Sequence, residues 1–128
     1  MTSIGENKFK DRSIIGFIEP IICISKRHKE SVRARIDSGA TKSSIDSALA
    51  KKLGLGPILG EKRIRNAHGY ETRKLVDMTI SIAGKEITAT FTIADRTHLR
   101  FPVLVGRNIL RKGFLIDPNK KIRRSVHE

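Results

Sequence analysis

The feature that most constrains the fold is a succession of apolar segments of strand length, separated by glycine or polar turns. Residues 31–37, SVRARID, alternate apolar and polar side chains, as a strand with one buried face does. Residues 13–24, SIIGFIEPIICI, alternate poorly, which is typical of a strand buried on both faces, and Pro20 marks a kink or an edge there. The polar residues 25–30 form a turn between the two strands.

The rest of the chain continues this pattern. Residues 62–82 predict an extended hairpin around NAHGYE, where Gly69 supplies the backbone freedom of a tight tip. Residues 78–94 predict a second hairpin with AGKE as its turn. Residues 101–118 predict a strand, a glycine, one or two helical turns, another glycine and a last strand.

A short helix is predicted over residues 43–55, SSIDSALAKKLGL, because its apolar residues are spaced by four. Ser43 or Ser44 would cap its start, and Gly54 is placed to end it. The order of elements therefore predicts an all-β domain with one or two short helices.

A chain of 128 residues is in the range of one domain, which we place at residues 13–118. Residues 1–12 are expected to be a flexible N-terminal segment and residues 119–128 a basic C-terminal tail. No stretch is long and apolar enough for a membrane helix, and the amino terminus lacks the apolar centre of a signal peptide. We therefore expect a cytoplasmic protein that does not engage a membrane.

The charge balance favours anionic partners. Lys and Arg number 26 against 13 Asp and Glu, for a formal charge of +13. Such an excess attracts nucleic acid or acidic peptides. Its clusters are dispersed along the chain, however, which is typical of a solvated face.

Metal and nucleotide sites lack their usual residues. Cys23 is the single cysteine, so it forms no internal disulfide and is expected to pack as a small apolar side chain in a strand. The four histidines provide no helical pair of zinc ligands, and no glycine-rich loop carries G-K-[ST]. We expect no cofactor.

A carboxylate stands at the end of the strand 31–37. Asp37 is followed by a turn through Ser38, Gly39 and Ala40, whose N–H groups would hold the carboxylate and favour its ionised form. The alternative is that Asp37 only opens a turn, since Asp, Ser and Gly are all turn residues. The G-x-S-x-G pattern of a serine hydrolase is absent.

A second motif, VLVGRNIL at residues 103–110, places Gly106 directly after three apolar residues and 69 positions beyond Asp37. The ordered pair of motifs resembles the paired signature of retropepsins, the retroviral-type aspartic proteases. The runs IDSGATKSS, NAHGYETR, IADRTHLRFPVLVGR and GFLIDP are also similar to a small cellular family described as ATP-dependent zinc proteases. That family has a retropepsin-like fold, and some of its members are associated with ligases that add glutamates to proteins.

The resemblance implies a retropepsin-like acid-protease barrel and an aspartic-type endopeptidase. Such enzymes use two carboxylates, one as general base on a water and one as general acid, whereas this chain has one Asp-Ser-Gly. It therefore implies a homodimer in which Asp37 of each subunit meets its copy at the two-fold axis. Two carboxyl groups in contact at the axis cannot both ionise cheaply, so they would share one proton.

The resemblance also implies roles for the loop. Ser38 would hydrogen-bond across the dimer, Gly39 would let the substrate backbone approach, and Ala40 would pack beneath. Gly106 would pack behind the loop. Arg107 would be a structural cation that hydrogen-bonds to backbone or to a carboxylate.

A hairpin tipped by Gly69 would act as the flap over the bound peptide. His68 and Tyr70 flank that tip and would touch the substrate there. The alternative for both is a solvent-facing turn.

This chain departs from the retroviral pattern directly after the Asp-Ser-Gly-Ala. It has Thr41 and Lys42 where retroviral enzymes have acidic residues. Arg107 then needs another partner, and Asp117 or Asp46 are the candidates. Lys42, together with Arg73 and Lys74 on the returning strand of the flap, would make the cleft positive and favour an acidic, glutamate-rich peptide.

Two other interpretations stay open. In the first, the domain is a non-catalytic retropepsin-like module that binds acidic peptides without cutting them. In the second, its basic surface binds ribosomal or RNA surfaces. Against nucleic acid, the aromatic residues do not form the interleaved pattern of single-strand binders. For the dimer interface, FLIDP or the segment around IIGF would serve, and the charged tail KKIRR predicts weak self-association.

Overall fold

The computed structural model describes residues 9–122, apart from the side chain of Asn66. Residues 1–8 and 123–128, the greater part of the two expected loose ends, lie outside the described residues. The strands in chain order are β1 Ser13–Ile15, β2 Ile18–Ile24, β3 Lys29–Ile36, β4 Ser43–Asp46, β5 Gly60–Asn66, β6 Gly69–Ile82, β7 Lys85–Ala94, β8 Val103–Val105 and β9 Phe114–Ile116. Helix α1 is Ser47–Leu53 and helix α2 is Arg107–Leu110.

Six of these strands close into a barrel. Neighbouring strands follow the order β2, β3, β8, β4, β7 and β6, and β6 pairs back onto β2 to complete the ring. Strand β5 lies outside the ring and pairs with the first half of β6. The prediction of an all-β barrel with short helices is confirmed.

The barrel interior is filled by aliphatic side chains because the strands alternate. On β6, Val76, Met78, Ile80 and Ile82 are buried, while the residues between them face outward. Burying one such side chain contributes about 1.5–3 kcal/mol. Phe91 of β7 is fully buried among them.

The β2–β3 and β6–β7 hairpins form as the sequence predicts. In the second, Ala83 and Gly84 both have positive φ, 48° and 78°, and Ile82 pairs with Lys85 across this two-residue turn.

Residues 13–24, however, divide into β1 and β2, and β2 alternates buried and exposed side chains instead of being buried on both faces. Pro20 lies in the part of β2 that pairs with β3 alone, since the pairing of β2 with β6 begins at Ile21. The edge position is therefore the correct alternative for this proline.

The predicted start of the first helix is wrong. Residues 43–46 form strand β4, which runs parallel to β7 and antiparallel to β8, and all four of its side chains are buried. The helix begins at Ser47, and its N-cap is Asp46, whose carboxylate accepts from the Ala48 N–H. The predicted end is confirmed, because Gly54 adopts the left-handed conformation at φ 66°.

The first and last strands pair with each other. β1 runs parallel to β9, with Ile14 opposite Leu115. Glu19 is 4% exposed and accepts from the Gly16 N–H at 2.7 Å and from Lys120 Nζ at 2.8 Å. This contact fixes the chain beyond β9 against the start of β2.

No helix in the range 9–122 combines the length and apolar character needed to cross a membrane.

Candidate active site

The Asp37 loop is a closed turn at the end of β3. The Asp37 N–H donates to the Val105 carbonyl at 2.9 Å, and the Ala40 N–H donates to the Asp37 carbonyl at 3.2 Å. The Gly39 N–H donates to Asp37 Oδ1 at 2.9 Å. The carboxylate is half-buried, whereas Ser38 and Gly39 are exposed. The strand end and the turn therefore fix the direction of this acid.

Gly106 lies directly behind the loop. A Cβ added there would stand 2.7 Å from the Lys42 carbonyl carbon and 2.8 Å from the Ala40 oxygen, closer than side-chain atoms come to backbone. The Arg107 N–H donates to the Ala40 carbonyl at 2.8 Å, and the Asn108 N–H donates to the Thr41 carbonyl at 3.2 Å. The backbone N–H groups at the start of α2 therefore hold the loop in place by hydrogen bonds.

Ser43 and Asn108 tie this contact to the barrel. The Ser43 hydroxyl donates to Asn108 Oδ1 at 2.7 Å and accepts from the Gly106 N–H at 3.0 Å. Asn108 Nδ2 donates to the Thr90 carbonyl of β7 at 3.0 Å. Ser43 was expected only as a helix cap, and Asn108 was not singled out, although both belong to the two motifs.

Arg107 does not pair with Asp117 or Asp46, so that expectation is wrong. Its guanidinium donates to the Thr41 hydroxyl at 2.9 Å and to the Ser38 carbonyl at 3.4 Å. The hydroxyl stands where an acidic residue would have been the ion-pair partner. Arg107 Nε is buried and has no hydrogen-bond partner among the described residues.

A cavity of about 380 Å³ lies between the Asp37 loop and the β5–β6 hairpin, and we name it the cationic cavity. Its basic lining residues are Lys42, Lys62, Arg63, Arg65, Arg73 and Arg96. No carboxylate is found among its described lining residues. Lys42 and Arg73, both expected near the substrate, are among these lining residues.

Lys74 is not among the lining residues of the cationic cavity. It follows Arg73 on β6, and successive side chains of a strand point to opposite faces. Sequence reasoning missed four of the cations, those on β5 and Arg96. The run of basic residues on β5 was a usable signal, whereas Arg96 comes from a loop far along the chain.

Arg96 is held in the wall of the cationic cavity and is 9% exposed. Its side-chain Nε donates to the Phe101 carbonyl at 3.0 Å, and its backbone N–H donates to Asp46 Oδ1 at 2.8 Å. Burial lowers the pKa of this guanidinium, the nearby Arg73 charge lowers it further, and Asp46 acts in the opposite direction. Ser44 also lines the cavity, and within residues 9–122 its buried hydroxyl has no hydrogen-bond partner.

The tip of the β5–β6 hairpin lies at the residues expected for it. Gly69 has φ 122°, a conformation that favours glycine. Tyr70 is exposed, and the Arg63 guanidinium stacks over its ring at 4.0 Å from the centroid. His68 is exposed at the same tip.

The structure brings no three potential metal ligands of the His, Cys, Asp or Glu type together within residues 9–122. Cys23 is buried in β2, and burial, with a smaller contribution from Glu30, raises the pKa of its thiol to about 12. The thiol is therefore protonated at neutral pH.

Comparison with known proteins decides the family. A family model described as the retropepsin-like aspartic endopeptidase RimB matches residues 50–127. The chain belongs to the RimB-like family. The matched segment begins beyond the Asp37 loop, so the interpretation of that loop in this RimB-like chain depends on its geometry.

Solved structures give the same fold. EIAV protease in complex with an inhibitor is 20% identical, with a TM-score of 0.61 over 74% of this chain and 85% of the protease. Simian foamy virus protease is 17% identical, with a TM-score of 0.55 over 73% and 91%. Lpg0085 of Legionella pneumophila, a protein of unknown function, is 19% identical, with a TM-score of 0.57 over 83% and 93%.

These likenesses establish that the barrel is retropepsin-like. A search of curated proteins found no match.

Proposed function

We propose that this RimB-like chain is an aspartic-type endopeptidase that acts as a homodimer, with Asp37 of each subunit forming the acid–base pair. The observation that carries the proposal is the Asp37 loop: a carboxylate at a strand end, held by the Gly39 N–H and packed on Gly106. The retropepsin-like family and fold support the same reaction class.

The second carboxylate would come from a second copy, since the sequence has one Asp-Ser-Gly. Ser38 and Gly39 are exposed in the single chain and are therefore accessible to a partner loop. A residue near a two-fold axis contacts its own equivalent, so the two Asp37 side chains would face each other.

The paired carboxyls would share one proton and so supply both catalytic roles. The ionised carboxylate takes a proton from water while the water oxygen attacks the scissile carbonyl carbon. The protonated carboxyl gives its proton to the carbonyl oxygen. The carboxyl that took the water proton then gives it to the amide nitrogen as the C–N bond breaks. The other carboxylate takes a proton from a hydroxyl of the tetrahedral intermediate, which leaves a carboxylic acid and an amine and restores the shared proton.

The cationic cavity favours an acidic peptide as substrate. Lys42 and Arg73 bring positive charge beside the Asp37 loop, and a cleft of one sign concentrates ligands of the other. A substrate carboxylate would accept from the unpartnered Ser44 hydroxyl and lie near the buried Arg96. The β5–β6 hairpin, with His68, Gly69 and Tyr70 at its tip, would close over the peptide.

The test is the substitution Asp37→Asn, assayed on a glutamate-rich peptide by mass spectrometry of the products. Cleavage is expected to fall by at least about 10³-fold, because an amide cannot serve as the base. Binding of the peptide, measured by fluorescence anisotropy, is expected to persist. Asp11→Asn, which removes an exposed carboxylate elsewhere, is the matched control and is expected to keep full activity.

Undiminished cleavage by Asp37→Asn would place the catalytic site elsewhere. Binding without cleavage by either protein would support the non-catalytic module instead. A peptide with glutamine in place of every glutamate checks the substrate class, and equal cleavage of both peptides would contradict an acidic preference.

A further inference from the structure

A second cavity, of about 630 Å³, lies away from the Asp37 loop, and we name it the remote cavity. It is formed by the β2–β3 turn, the last turn of α1 with the chain that follows, and the facing parts of β6 and β7. A volume of this size is in the range of small-molecule and peptide-side-chain pockets. The proposed peptidase chemistry uses none of its lining residues.

The length of β3 separates the two sites. The remote cavity touches His28, directly before β3, whereas Asp37 directly follows the strand. Eight residues at about 3.3 Å each place the two ends roughly 25 Å apart. One short peptide in contact with Asp37 would therefore not fill the remote cavity.

The chemistry of the remote cavity combines positive charge with an apolar wall. Lys26, Arg27 and Lys51 are exposed lining residues, and Lys52 forms an ion pair with Glu30 at 3.0 Å. The carboxylate of Asp77, also in the lining, accepts from the Thr90 hydroxyl. The balance of charge therefore favours an anion.

Apolar side chains line the same space. Leu53 and Met78 are buried, and Ile24 and Leu55 are partly buried. An anion that carries an aliphatic group would bury that group here, at about 25 cal/mol per Å² of apolar surface. His28 carries an imidazole, but no Phe, Tyr or Trp stands among the described lining residues, so the wall offers little surface for stacked nucleobases.

We infer that the remote cavity binds an acidic peptide segment that carries an aliphatic side chain, and that it acts as a second contact point for the protein substrate. The role as a substrate contact rests on the proposed peptidase function, whereas the binding itself does not. An extended chain spans at most about 3.6 Å per residue. About seven residues or more would therefore lie between the docked segment and the scissile bond.

The first experiment measures binding residue by residue. The probe is the peptide Glu-Glu-Glu-Leu-Glu-Glu-Glu, titrated into ¹⁵N-labelled Asp37→Asn protein and followed by NMR. Amides of residues 25–28 and 53–56 are expected to shift, in addition to those around the cationic cavity. Absence of shifts at residues 25–28 and 53–56 would overturn the inference.

The double substitution Lys26→Glu and Arg27→Glu reverses two exposed charges in the β2–β3 turn. It is expected to weaken binding at the remote cavity about tenfold or more, because each reversal exchanges attraction for repulsion. Shifts around the cationic cavity are expected to persist. The control Lys10→Glu with Arg111→Glu changes the net charge equally at exposed positions outside the cavity, and an equal loss there would overturn the inference.

Two further probes separate the ligand classes. Replacing the central leucine of the peptide by glutamine is expected to weaken binding at the remote cavity several-fold, and unchanged affinity would reduce the site to charge attraction, against the inference. An oligouridylate of ten nucleotides is expected to bind more weakly than the peptide. Tighter binding of the oligouridylate at the same amides would overturn the peptide assignment.

Kinetics test the role as a substrate contact. With a 20-residue acidic substrate that carries a leucine at least seven residues from the cleaved bond, the Lys26→Glu and Arg27→Glu protein is expected to show a raised KM and an unchanged kcat. With a seven-residue substrate, both constants are expected to stay unchanged. Equal effects on both substrates would contradict the second contact point, whereas a lack of cleavage by wild type would contradict the proposed function alone.

Discussion

At the scale of single residues, Gly106 is the described glycine at which an added Cβ would come nearest to backbone atoms. A Cβ there would meet backbone atoms of Ala40 and Lys42 at under 3.0 Å, and neither segment can yield without moving the Asp37 loop. We expect Gly106→Ala to lower the free energy of unfolding by about 1–3 kcal/mol, as overpacking does. Urea denaturation measures the loss.

Gly56→Ala is the matched control, because a Cβ at Gly56 meets nothing within 4 Å. Its free energy of unfolding is expected to stay within about 0.5 kcal/mol of wild type. Similar values for the two alanine variants would contradict the close packing described for Gly106.

Single residues also show where sequence reasoning succeeds and where it fails. The burial of Cys23 could be predicted, because a lone apolar-like side chain in an isoleucine-rich strand has one favourable place. For Arg107, a backbone partner was one of the two expected alternatives and is found at the Ser38 carbonyl, whereas the two carboxylate candidates were wrong. Its guanidinium also donates to the hydroxyl of Thr41, a partner that the search for carboxylates did not consider.

At the scale of elements, Asp46 joins helix α1 to the loop before β8. Its Oδ2 accepts from the Ala48 N–H at 3.1 Å, and its Oδ1 accepts from the Arg96 N–H at 2.8 Å. We expect Asp46→Ala to cost about 2–3 kcal/mol of unfolding free energy, because a cap and a second buried acceptor are lost together.

Asp46→Asn is expected to cost less, since its amide oxygen still accepts one of the two bonds and Asn is a good N-cap. Thermal or urea unfolding of both variants checks the order. An asparagine variant as unstable as the alanine variant would show that the negative charge beside Arg96, rather than the two hydrogen bonds, dominates.

The hairpins could be predicted from sequence because their turns are local, as in AGKE, where two residues with positive φ join alternating strands. Strand β4 could not. Ser43 to Asp46 become a strand only because β7 and β8 flank them, and both partners lie more than 40 residues away. Considered alone, Ile45 of this strand belongs to the helical spacing that continues with Leu49 and Leu53.

At the scale of the whole molecule, the proposed dimer gives a quantitative test by subunit mixing. A mixed dimer of wild type and Asp37→Asn has one carboxylate at the axis and is expected to be inactive. Adding an equal amount of the variant at saturating association would reduce the activity per wild-type chain to about one half. Unchanged activity would mean that one chain is sufficient.

The cationic cavity is also a property of the whole molecule. Lys42, Arg63 and Arg96 come from three segments that only the closed barrel brings together. The sequence therefore predicted its sign of charge from neighbouring residues but not its full set of cations. FLIDP and IIGF, expected at a dimer interface, pair with each other within one chain as β9 and β1.

The two strands of the β5–β6 hairpin are connected to the barrel in different ways. Strand β6 runs unbroken from Gly69 to Ile82, pairing with β5 at one end and with β7 and β2 at the other. The other strand, β5, is joined to helix α1 through residues 55–59, which have no regular structure. The Leu59 N–H donates to the Leu75 carbonyl at 2.8 Å, so the end of this linker is held against β6. A swing of the hairpin would therefore bend the continuous strand β6, and the tip would move along an arc that this bend sets.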